Sequence, residues 1–482
     1  QSDSSSASTA DGIASRFASL VSCTTVHRPL PPSWAVPFRT KAASLARAYV
    51  DDPCDRTLFD VLCLPKVGLA PALRIAATSS APAGKAHLAA FPLVDWPQPA
   101  PPASSSGPLP ARVAHAISNG KLSRAARLLE GDSSVAPLTP ETLATLKAKH
   151  PTGLTNPFGT RSGVAPSQLP SVDLFRTAFA TFKPDTAPGV SGWTPALLRQ
   201  ALNPDDFVAF VLLLARQVAQ GTAPGQALLG TSRLTPLVKP DGGIRPIAVG
   251  ELLWRLVGKI LIKHFSVPSM LAPFQFGVGT PGGVEPIVRA LERGLAGTLP
   301  GGFAPRYVAS LDFSNAFNAL PRTNLASGVL AHAPALYRAA KWAYNGPSPL
   351  VDVGLDGDIV ELSSSEGVRQ GDPLGPLLFS LGVRDTLERL AAHLGTGHAL
   401  LAYLDDVYVL STEAGVLDRV QEFLSEDSAP GPLILNARKC SEHPFTTIAA
   451  EGMRVLGTCV GAASARASFL ASKVEGDRKS VV

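Results

Sequence analysis

The sequence predicts an α+β fold in which an antiparallel sheet carries acidic side chains and is backed by helices. Residues 306–311 alternate loosely between apolar and polar types, which is typical of a buried strand, and they lead directly to Asp312. β-Favouring runs at 400–403 and 407–410 flank a short polar break, which indicates a hairpin. Helix-compatible segments lie between these elements, so the predicted sheet has helices to pack against.

The composition is that of a globular protein that can bury a sizeable core. Of its 482 residues 45% are hydrophobic, and 43 basic against 38 acidic residues give a net charge of +5. This charge is too small to predict nucleic-acid binding by itself, so a local channel would have to supply it. Five dispersed cysteines without Cys-x-x-Cys spacing predict a reducing compartment. With no secretory pattern and no apolar run of membrane length, we expect an intracellular, soluble protein without a membrane partner.

Three aspartates are the candidate catalytic residues. Asp312 ends a predicted strand, and Asp405 and Asp406 lie side by side at the predicted hairpin tip. Like charges this close repel unless a cation neutralises them, and Mg²⁺ prefers hard oxygen ligands. Three converging carboxylates meet the requirement of two-metal phosphoryl transfer, in which ions about 3.5–4 Å apart hold the attacking and leaving oxygens. The pattern predicts a nucleic acid polymerase; the alternatives are a helix N-cap for Asp312 and an ordinary solvated turn for the pair.

Two glycine-containing turns carry candidate nucleotide-binding residues. Lys239 and Arg245 flank the hairpin turn signal Asp241-Gly242-Gly243, and basic side chains on both arms can close on a triphosphate. The alternative is a charged surface hairpin. In the second turn, Gly371 permits close approach of the backbone to a substrate, and Gln370 can hydrogen-bond the nucleotide sugar or its paired base. For Gly371 a plain turn residue is the alternative.

A predicted helix after residue 251 carries three basic side chains. Arg255, Lys259 and Lys263 are spaced four apart, which places them on one helix face. A basic stripe fits a template backbone, and it equally fits the exposed face of an amphipathic helix. Both interpretations stay open from the sequence.

The order of these blocks resembles the reverse transcriptase domain of non-LTR retrotransposons, with group II intron reverse transcriptases as more distant relatives. The block at 370–379 matches the glycine-turn motif of that family nearly residue for residue, and Leu404 stands where alanine is commoner. The resemblance extends over roughly residues 183 to 461. Its other blocks are residues 239–247, 273–277, 282–285, 311–317, 403–406, 435–440 and 455–457.

The resemblance implies a right-hand polymerase fold with palm and fingers. Only 21 residues follow Gly461, so we expect the thumb to be largely absent. The predicted divisions are a Ser/Pro/Ala-rich region with short helices and a linker (1–111), a helical extension (112–182), fingers (183–301), palm (302–462, with a helical insertion at about 322–344) and a truncated tail (463–482).

The resemblance also implies an RNA-directed DNA polymerase that extends a primer 3′-OH with dNTPs. Its expected cofactors are two Mg²⁺ ions, which Mn²⁺ can replace, and its expected partners are an RNA template, a DNA or RNA primer and dNTPs. The location would be nuclear if the element is eukaryotic. The alternatives are a catalytically inactive or truncated RNA-binding scaffold and an RNA-dependent RNA polymerase.

The resemblance assigns roles to individual residues. Asp312, Asp405 and Asp406 would be catalytic and would hold the metal ions together with Phe313. Phe317 lies where an aromatic ring excludes a ribose 2′-hydroxyl, which favours dNTPs and argues against an RNA-dependent RNA polymerase. Lys439 is a candidate proton donor to pyrophosphate, with a phosphate contact or a solvated lysine as alternatives. The remaining assignments are dNTP binding by Lys239, Arg245, Phe313, Phe317, Gln370 and Gly371, and primer gripping by Leu456 and Gly457.

Overall fold

A computed structural model of the chain describes residues 12–23, 25–26, 30–92, 113–114, 135–239, 242–265, 268–426 and 433–481. These residues divide into two units. The first unit contains residues up to 265 together with 335–365 and 369–374. The second unit contains residues 266–334, 366–368 and 375–482. Each unit combines helices with a largely or wholly antiparallel sheet, so the predicted α+β class is confirmed.

A four-stranded sheet in the order β2-β1-β4-β5 organises the first unit. Its strands are β1 (Ser232–Val238), β2 (Ile244–Gly250), β4 (Ser348–Val353) and β5 (Ile359–Ser364). β1 and β2 form an antiparallel hairpin, whereas β1 pairs in parallel with β4. Apolar side chains on one face make a core; its buried members are Leu138, Leu146, Leu234, Ala248, Leu350 and Leu362.

Helices make up most of the remaining first unit. Thr139 caps the N-terminus of one of them, because its hydroxyl accepts the N–H of Thr142. The helices are α1 (Pro32–Asp51), α2 (Asp55–Cys63), α3 (Ala70–Thr78), α4 (Ala81–Ala90), α5 (Pro140–Lys149), α6 (Val172–Ala180), α7 (Pro195–Ala201), α8 (Ala209–Gln220), α9 (Gln226–Gly230), α10 (Leu252–His264) and α15 (Tyr337–Tyr344). Two π-helical stretches, Leu64–Leu69 and Pro204–Val208, join helices of this set.

Residues 70–90, in the region predicted to hold short helices and a linker, form α3 and α4. Each of these helices has its proline in the first turn, where the missing N–H has no intrahelical partner to lose. The hydroxyl of Ser80 accepts the N–H of Ala83 and caps α4. The rest of the predicted linker, at 93–111, lies outside the described residues.

An antiparallel sheet in the order β6-β7-β3-β8 organises the second unit. Its strands are β3 (Tyr307–Leu311), β6 (His398–Tyr403), β7 (Asp406–Ser411) and β8 (Ser441–Pro444). The strand before Asp312 and the hairpin around Asp405 are therefore confirmed. A separate hairpin joins β9 (Met453–Val455) to β10 (Thr458–Val460).

The helices of the second unit pack apolar side chains against this sheet. Their shared core includes Ile287, Val308, Leu410 and Phe445. The helices are α11 (Pro268–Leu271), α12 (Val284–Leu295), α13 (Ala316–Ala319), α14 (Arg322–His332), α16 (Gly375–Leu394), α17 (Val416–Glu426), α18 (Phe445–Glu451) and α19 (Ala463–Val481). None of the helices within the described ranges is long and apolar enough to cross a membrane.

The two units differ from the predicted division into fingers and palm. The boundary expected between residues 301 and 302 does not separate them, because residues 268–301 belong to the second unit. β4 and β5 fall inside the predicted palm range, yet they complete the sheet of the first unit. The predicted helical insertion at 322–344 is helical, with α14 in the second unit and α15 in the first.

Candidate active site

The register of the second unit's sheet brings two of the candidate carboxylates together. Tyr307 pairs with Ser411 and Leu311 with Val407, so Asp312 follows the last paired residue of β3 and Asp406 precedes the last paired residue of β7. The two residues therefore lie at the same end of this strand pair. Asp405 precedes Asp406 in the loop of the same hairpin, which leaves three carboxylates at one end of the sheet.

Asp312 is held by the segment that follows the hairpin. The Asn436 side chain donates its Nδ2–H to Asp312 Oδ2 at 3.0 Å, and the Asn436 backbone N–H donates to the Asp312 carbonyl at 2.8 Å. Cys440 Sγ lies 3.4 Å from the Asp312 nitrogen. Burial raises the pKa of the Cys440 thiol, and the charge of Asp312 acts in the same direction. These contacts fix the orientation of the Asp312 carboxylate.

The helix N-cap considered for Asp312 does not occur. The short helix α13 is preceded by Asn315, which occupies the cap position with φ 52°. Phe313 lies between Asp312 and this helix, is buried, and forms an isolated antiparallel bridge with Leu435. Asp312 is thus left facing the hairpin.

The hairpin tip has an unusual backbone. β6 ends at Tyr403 and β7 begins at Asp406, so Leu404 and Asp405 form a two-residue loop. Leu404 has φ 59°, a conformation that costs free energy for a residue with a Cβ. Asp405 is partly buried and Asp406 is exposed. The loop therefore presents its carboxylates to solvent on a strained turn.

Phe317 stacks on a buried aromatic ring. Its centroid lies 4.5 Å from that of Phe379, with an angle of 8° between the two planes. Phe379 belongs to α16 and is fully buried, whereas Phe317 is partly exposed. The ring of Phe317 is thus supported on one face by Phe379.

The predicted glycine turn lies in the first unit, against β2. The N–H of Ala248 donates to the Gln370 carbonyl at 2.8 Å. Gly371 has φ 120°, and a Cβ at this position would overlap the Ala248 carbonyl oxygen. Only glycine therefore fits this turn while the chain stays hydrogen-bonded to β2.

A buried ion pair supports this turn, and the sequence alone predicts no role for it. Arg369 and Asp372 are 3% and 4% exposed, and Arg369 Nε and Nη2 lie 3.1 and 2.5 Å from Asp372 Oδ2. Trp254 Nε1–H donates to the same oxygen at 2.9 Å. The Arg369 guanidinium also donates to the Ser348 hydroxyl and lies 4.6 Å from the ring centroid of Tyr344. The sequence signal for it was a pair of opposite charges three residues apart.

The basic residues predicted to bind the triphosphate flank the β1–β2 turn. Arg245 pairs with Leu237 across the hairpin, and Lys239 lies two residues beyond Leu237. Since side chains alternate along a strand, Lys239 and Arg245 project from the same face. Arg245 is exposed and Lys239 partly exposed, so both heads can reach solvent or a ligand.

The three basic residues of α10 have different surroundings. The guanidinium of Arg255 donates to the Ala187 carbonyl, and burial lowers its pKa. Lys259 donates to the Thr181 hydroxyl at 2.6 Å and lies 4.6 Å from the ring centroid of Phe182. Lys263 is exposed. The predicted helix is confirmed, but two of its three basic side chains anchor the 181–187 segment.

Leu456 and Gly457 form the two-residue turn between β9 and β10. Their φ angles are 45° and 80°, which is the pattern of a type I′ hairpin. Tyr408 of β7 forms a hydrogen bond with the backbone of Leu456, while burial raises the Tyr408 pKa to about 12. Lys439, the candidate proton donor, is exposed.

The donor set at Asp312, Asp405 and Asp406 fits Mg²⁺. Mg²⁺ takes hard oxygen ligands and is usually bound through one or two carboxylates plus substrate phosphates, so it does not need a complete protein cage. In the part of the chain that the structure describes, no group of three or more His, Cys, Asp or Glu side chains could by itself hold a metal ion.

Comparisons with known proteins agree on the family. Residues 237–460 match the model of the reverse transcriptase (RNA-dependent DNA polymerase) family. The SLACS retrotransposable element 132 kDa protein of Trypanosoma brucei gambiense is 32% identical over 46% of this chain, and the Pol polyprotein of the type-2 retrotransposable element R2DM of Drosophila melanogaster is 28% identical over 53%. The chain spans 18% and 24% of the lengths of these two relatives.

Among solved structures, the apo telomerase of Candida tropicalis truncated from its C-terminal domain is 13% identical, with a TM-score of 0.37, and the match covers 48% of this chain and 53% of that one. The family match spans the part of the chain that carries Asp312, the glycine turn and the hairpin. Residues 237–460 are therefore similar to the reverse transcriptase family, and the two relatives named above are proteins of retrotransposable elements.

Proposed function

We propose that this chain is an RNA-directed DNA polymerase that extends a primer 3′-OH with dNTPs, as the polymerase part of a retrotransposon protein. The observation that supports the proposal is the register of β3 against β7, whose last pair is Leu311 and Val407, next to Asp312 on one strand and to Asp406 and Asp405 on the other. The match of residues 237–460 to the reverse transcriptase family supports phosphoryl transfer as the use of this carboxylate group.

In the proposed mechanism Asp312, Asp405 and Asp406 hold two divalent ions, Mg²⁺ or Mn²⁺, with Phe313 adjacent. When bound, such ions lower the pKa of the primer 3′-hydroxyl and stabilise the charge on the departing pyrophosphate. Asn436 holds the Asp312 carboxylate in one orientation through the 3.0 Å hydrogen bond from its amide. A fixed carboxylate loses less entropy at the moment of reaction than a mobile one.

The proposed substrate contacts come from other residues. Lys239 and Arg245, on one face of the β1–β2 hairpin, are proposed to bind the triphosphate. Phe317 is proposed to exclude ribonucleotides, since a supported ring leaves neither space nor a hydrogen-bond partner for a 2′-hydroxyl. Lys439 is proposed to donate a proton to pyrophosphate. Gln370 and Gly371 are proposed to contact the nucleotide, and Leu456 and Gly457 the primer.

Primer extension on an annealed RNA template with Mg²⁺ tests the proposal, with dNTPs and rNTPs offered separately. We expect extension with dNTPs. In Asp405→Ala we expect the rate of extension to fall by about a thousandfold or more, because a carboxylate proposed to hold the metal ions is removed. Asp173→Ala is the matched control, since the Asp173 side chain is 89% exposed on α6 in the other unit. Retained synthesis in Asp405→Ala would refute the assignment. A wild-type chain that binds primer–template without extending it would favour the RNA-binding scaffold.

A further inference from the structure

The strained turn at Leu404 is held by a side chain from a distant part of the sequence. A φ of 59° for a residue with a Cβ persists only where the surrounding structure fixes it. The residue that does so is Gln275, which is 7% exposed. Gln275 belongs to the block at 273–277, which has no role in the proposed mechanism.

Gln275 satisfies both backbone groups of Leu404. Its Oε1 accepts the Leu404 N–H at 2.6 Å, and its Nε2–H donates to the Leu404 carbonyl at 3.3 Å. The same Oε1 accepts the N–H of Gly277 at 3.0 Å. A planar amide bonded at both ends acts on Leu404 as a paired strand would, and it fixes the plane of the peptide that leads to Asp405.

The segment that carries Gln275 is itself fixed to the hairpin. The Phe276 N–H donates to the Ala402 carbonyl and the Ala402 N–H to the Phe274 carbonyl, both at 2.8 Å. At Gly277 an added Cβ would lie 2.9 Å from both the backbone nitrogen and Cγ of Leu404, which is closer than real Cβ contacts. Backbone pairing and close packing therefore set the position of the Gln275 amide.

We propose that Gln275 is a positioning residue, which fixes the backbone of Leu404 and thereby the carboxylates of Asp405 and Asp406 before substrate binds. It contacts the hairpin backbone and not the reacting atoms, so it acts through the turn. Its effect on reaction rate rests on the proposed polymerase function, whereas its effect on the turn does not.

Amide hydrogen exchange tests the effect on the turn. Gln275→Met keeps the length of the side chain and removes all three hydrogen bonds. We expect the Leu404 and Gly277 amides to exchange about tenfold faster or more, because each loses its acceptor, while Val409 in the centre of β7 keeps its protection. Ser380→Ala is the matched control, since it removes a buried hydroxyl whose partner is the Pro376 carbonyl in the same helix.

Kinetics test the effect on the reaction. In Gln275→Met we expect kcat for dNTP incorporation to fall about tenfold, with KM for the dNTP within about twofold, because carboxylate placement changes and the nucleotide contacts do not. Leu404→Gly supplies the rescue, since glycine adopts positive φ without strain. In the Leu404→Gly background the loss caused by Gln275→Met should be at least about threefold smaller.

The outcomes separate the two proposals. Unchanged exchange at Leu404 in Gln275→Met would overturn the positioning role, as would equal losses of kcat in Gln275→Met and Ser380→Ala. Faster exchange with the predicted kinetic pattern would support it. If the wild-type protein makes no DNA, the polymerase proposal fails, and the exchange result alone decides whether Gln275 holds the turn.

Discussion

The ring of Phe317 lies flat against the ring of Phe379, with centroids 4.5 Å apart and planes inclined by 8°. Phe379 is fixed in the centre of the second unit, where it is fully buried. The backbone of Phe317 is held as well, because its carbonyl accepts the Val368 N–H at 2.7 Å. A ring supported in this way cannot move aside without losing the stack, which gives the proposed exclusion of a 2′-hydroxyl a physical basis.

We expect Phe317→Ala to raise the use of rNTPs relative to dNTPs by about tenfold to a hundredfold, since it opens space for the hydroxyl. Phe379→Leu should act in the same direction by a smaller factor, because Phe317 then loses its support. Single-nucleotide incorporation with each nucleotide gives the ratio of kcat/KM values.

Phe445→Leu is the control for this pair, since Phe445 is another buried aromatic residue of the second unit. It should lower stability without changing the ratio. An equal change for rNTPs and dNTPs in Phe379→Leu would contradict the supporting role of that ring.

The Arg369–Asp372 pair predicts a large effect on stability. Arg369→Met leaves the Asp372 carboxylate buried without its countercharge, so we expect the free energy of unfolding to fall by about 3–5 kcal/mol. Adding Asp372→Asn should recover part of this loss, because the amide keeps an acceptor for Trp254 without carrying a charge. Denaturant unfolding measures both variants, and a double variant no more stable than Arg369→Met would argue against an uncompensated charge as the cause.

Lys66 predicts a pH dependence of stability. The residue is 6% exposed, its ammonium donates to the Leu20 carbonyl at 2.6 Å, and burial lowers its pKa to about 8 from a usual value of 10.5. Between these two values the unfolded chain binds more protons than the folded one. The Lys66 contribution to the free energy of unfolding therefore rises with pH from about 8 to 10.5, and its penalty is complete below pH 8.

Guanidinium unfolding of the wild type and Lys66→Met at pH 7.5, 8.5 and 9.5 checks this sign. The groups that act electrostatically on Lys66 are Glu251, Cys23, Cys63 and Arg233, and they remain in both proteins. We expect the wild type to gain stability relative to the variant as the pH rises. Parallel pH profiles would show that the ammonium is not desolvated in the folded state.

Local sequence patterns predicted the parts of the site that local structure determines. The alternation before Asp312 and the polar break at 404–406 are short-range signals, and β3 and the β6–β7 hairpin form where they indicate. The proposed contributions of Asn436 and Gln275 could not be read in the same way. Each depends on a contact between positions more than 120 residues apart, for which a single sequence carries no periodic signal.

The sheet of the first unit could not be predicted for the same reason. The parallel pairing of Ser232 with Leu350 joins strands more than 100 residues apart, and a single sequence carries no local signal for it. In contrast, residues 70–90 carry a local signal. Proline in a first turn is compatible with helix, and α3 and α4 each have one there.

The strand order of the second unit determines which strands separate first when the sheet opens thermally. β3, which leads directly to Asp312, lies between β7 and β8, and β7, which begins at Asp406, lies between β3 and β6. Fraying of a sheet starts at its outer strands, whose backbone groups have partners on one side only. Both carboxylate-bearing strands are interior, so thermal opening must first detach β6 or β8 before it separates Asp312 from Asp406.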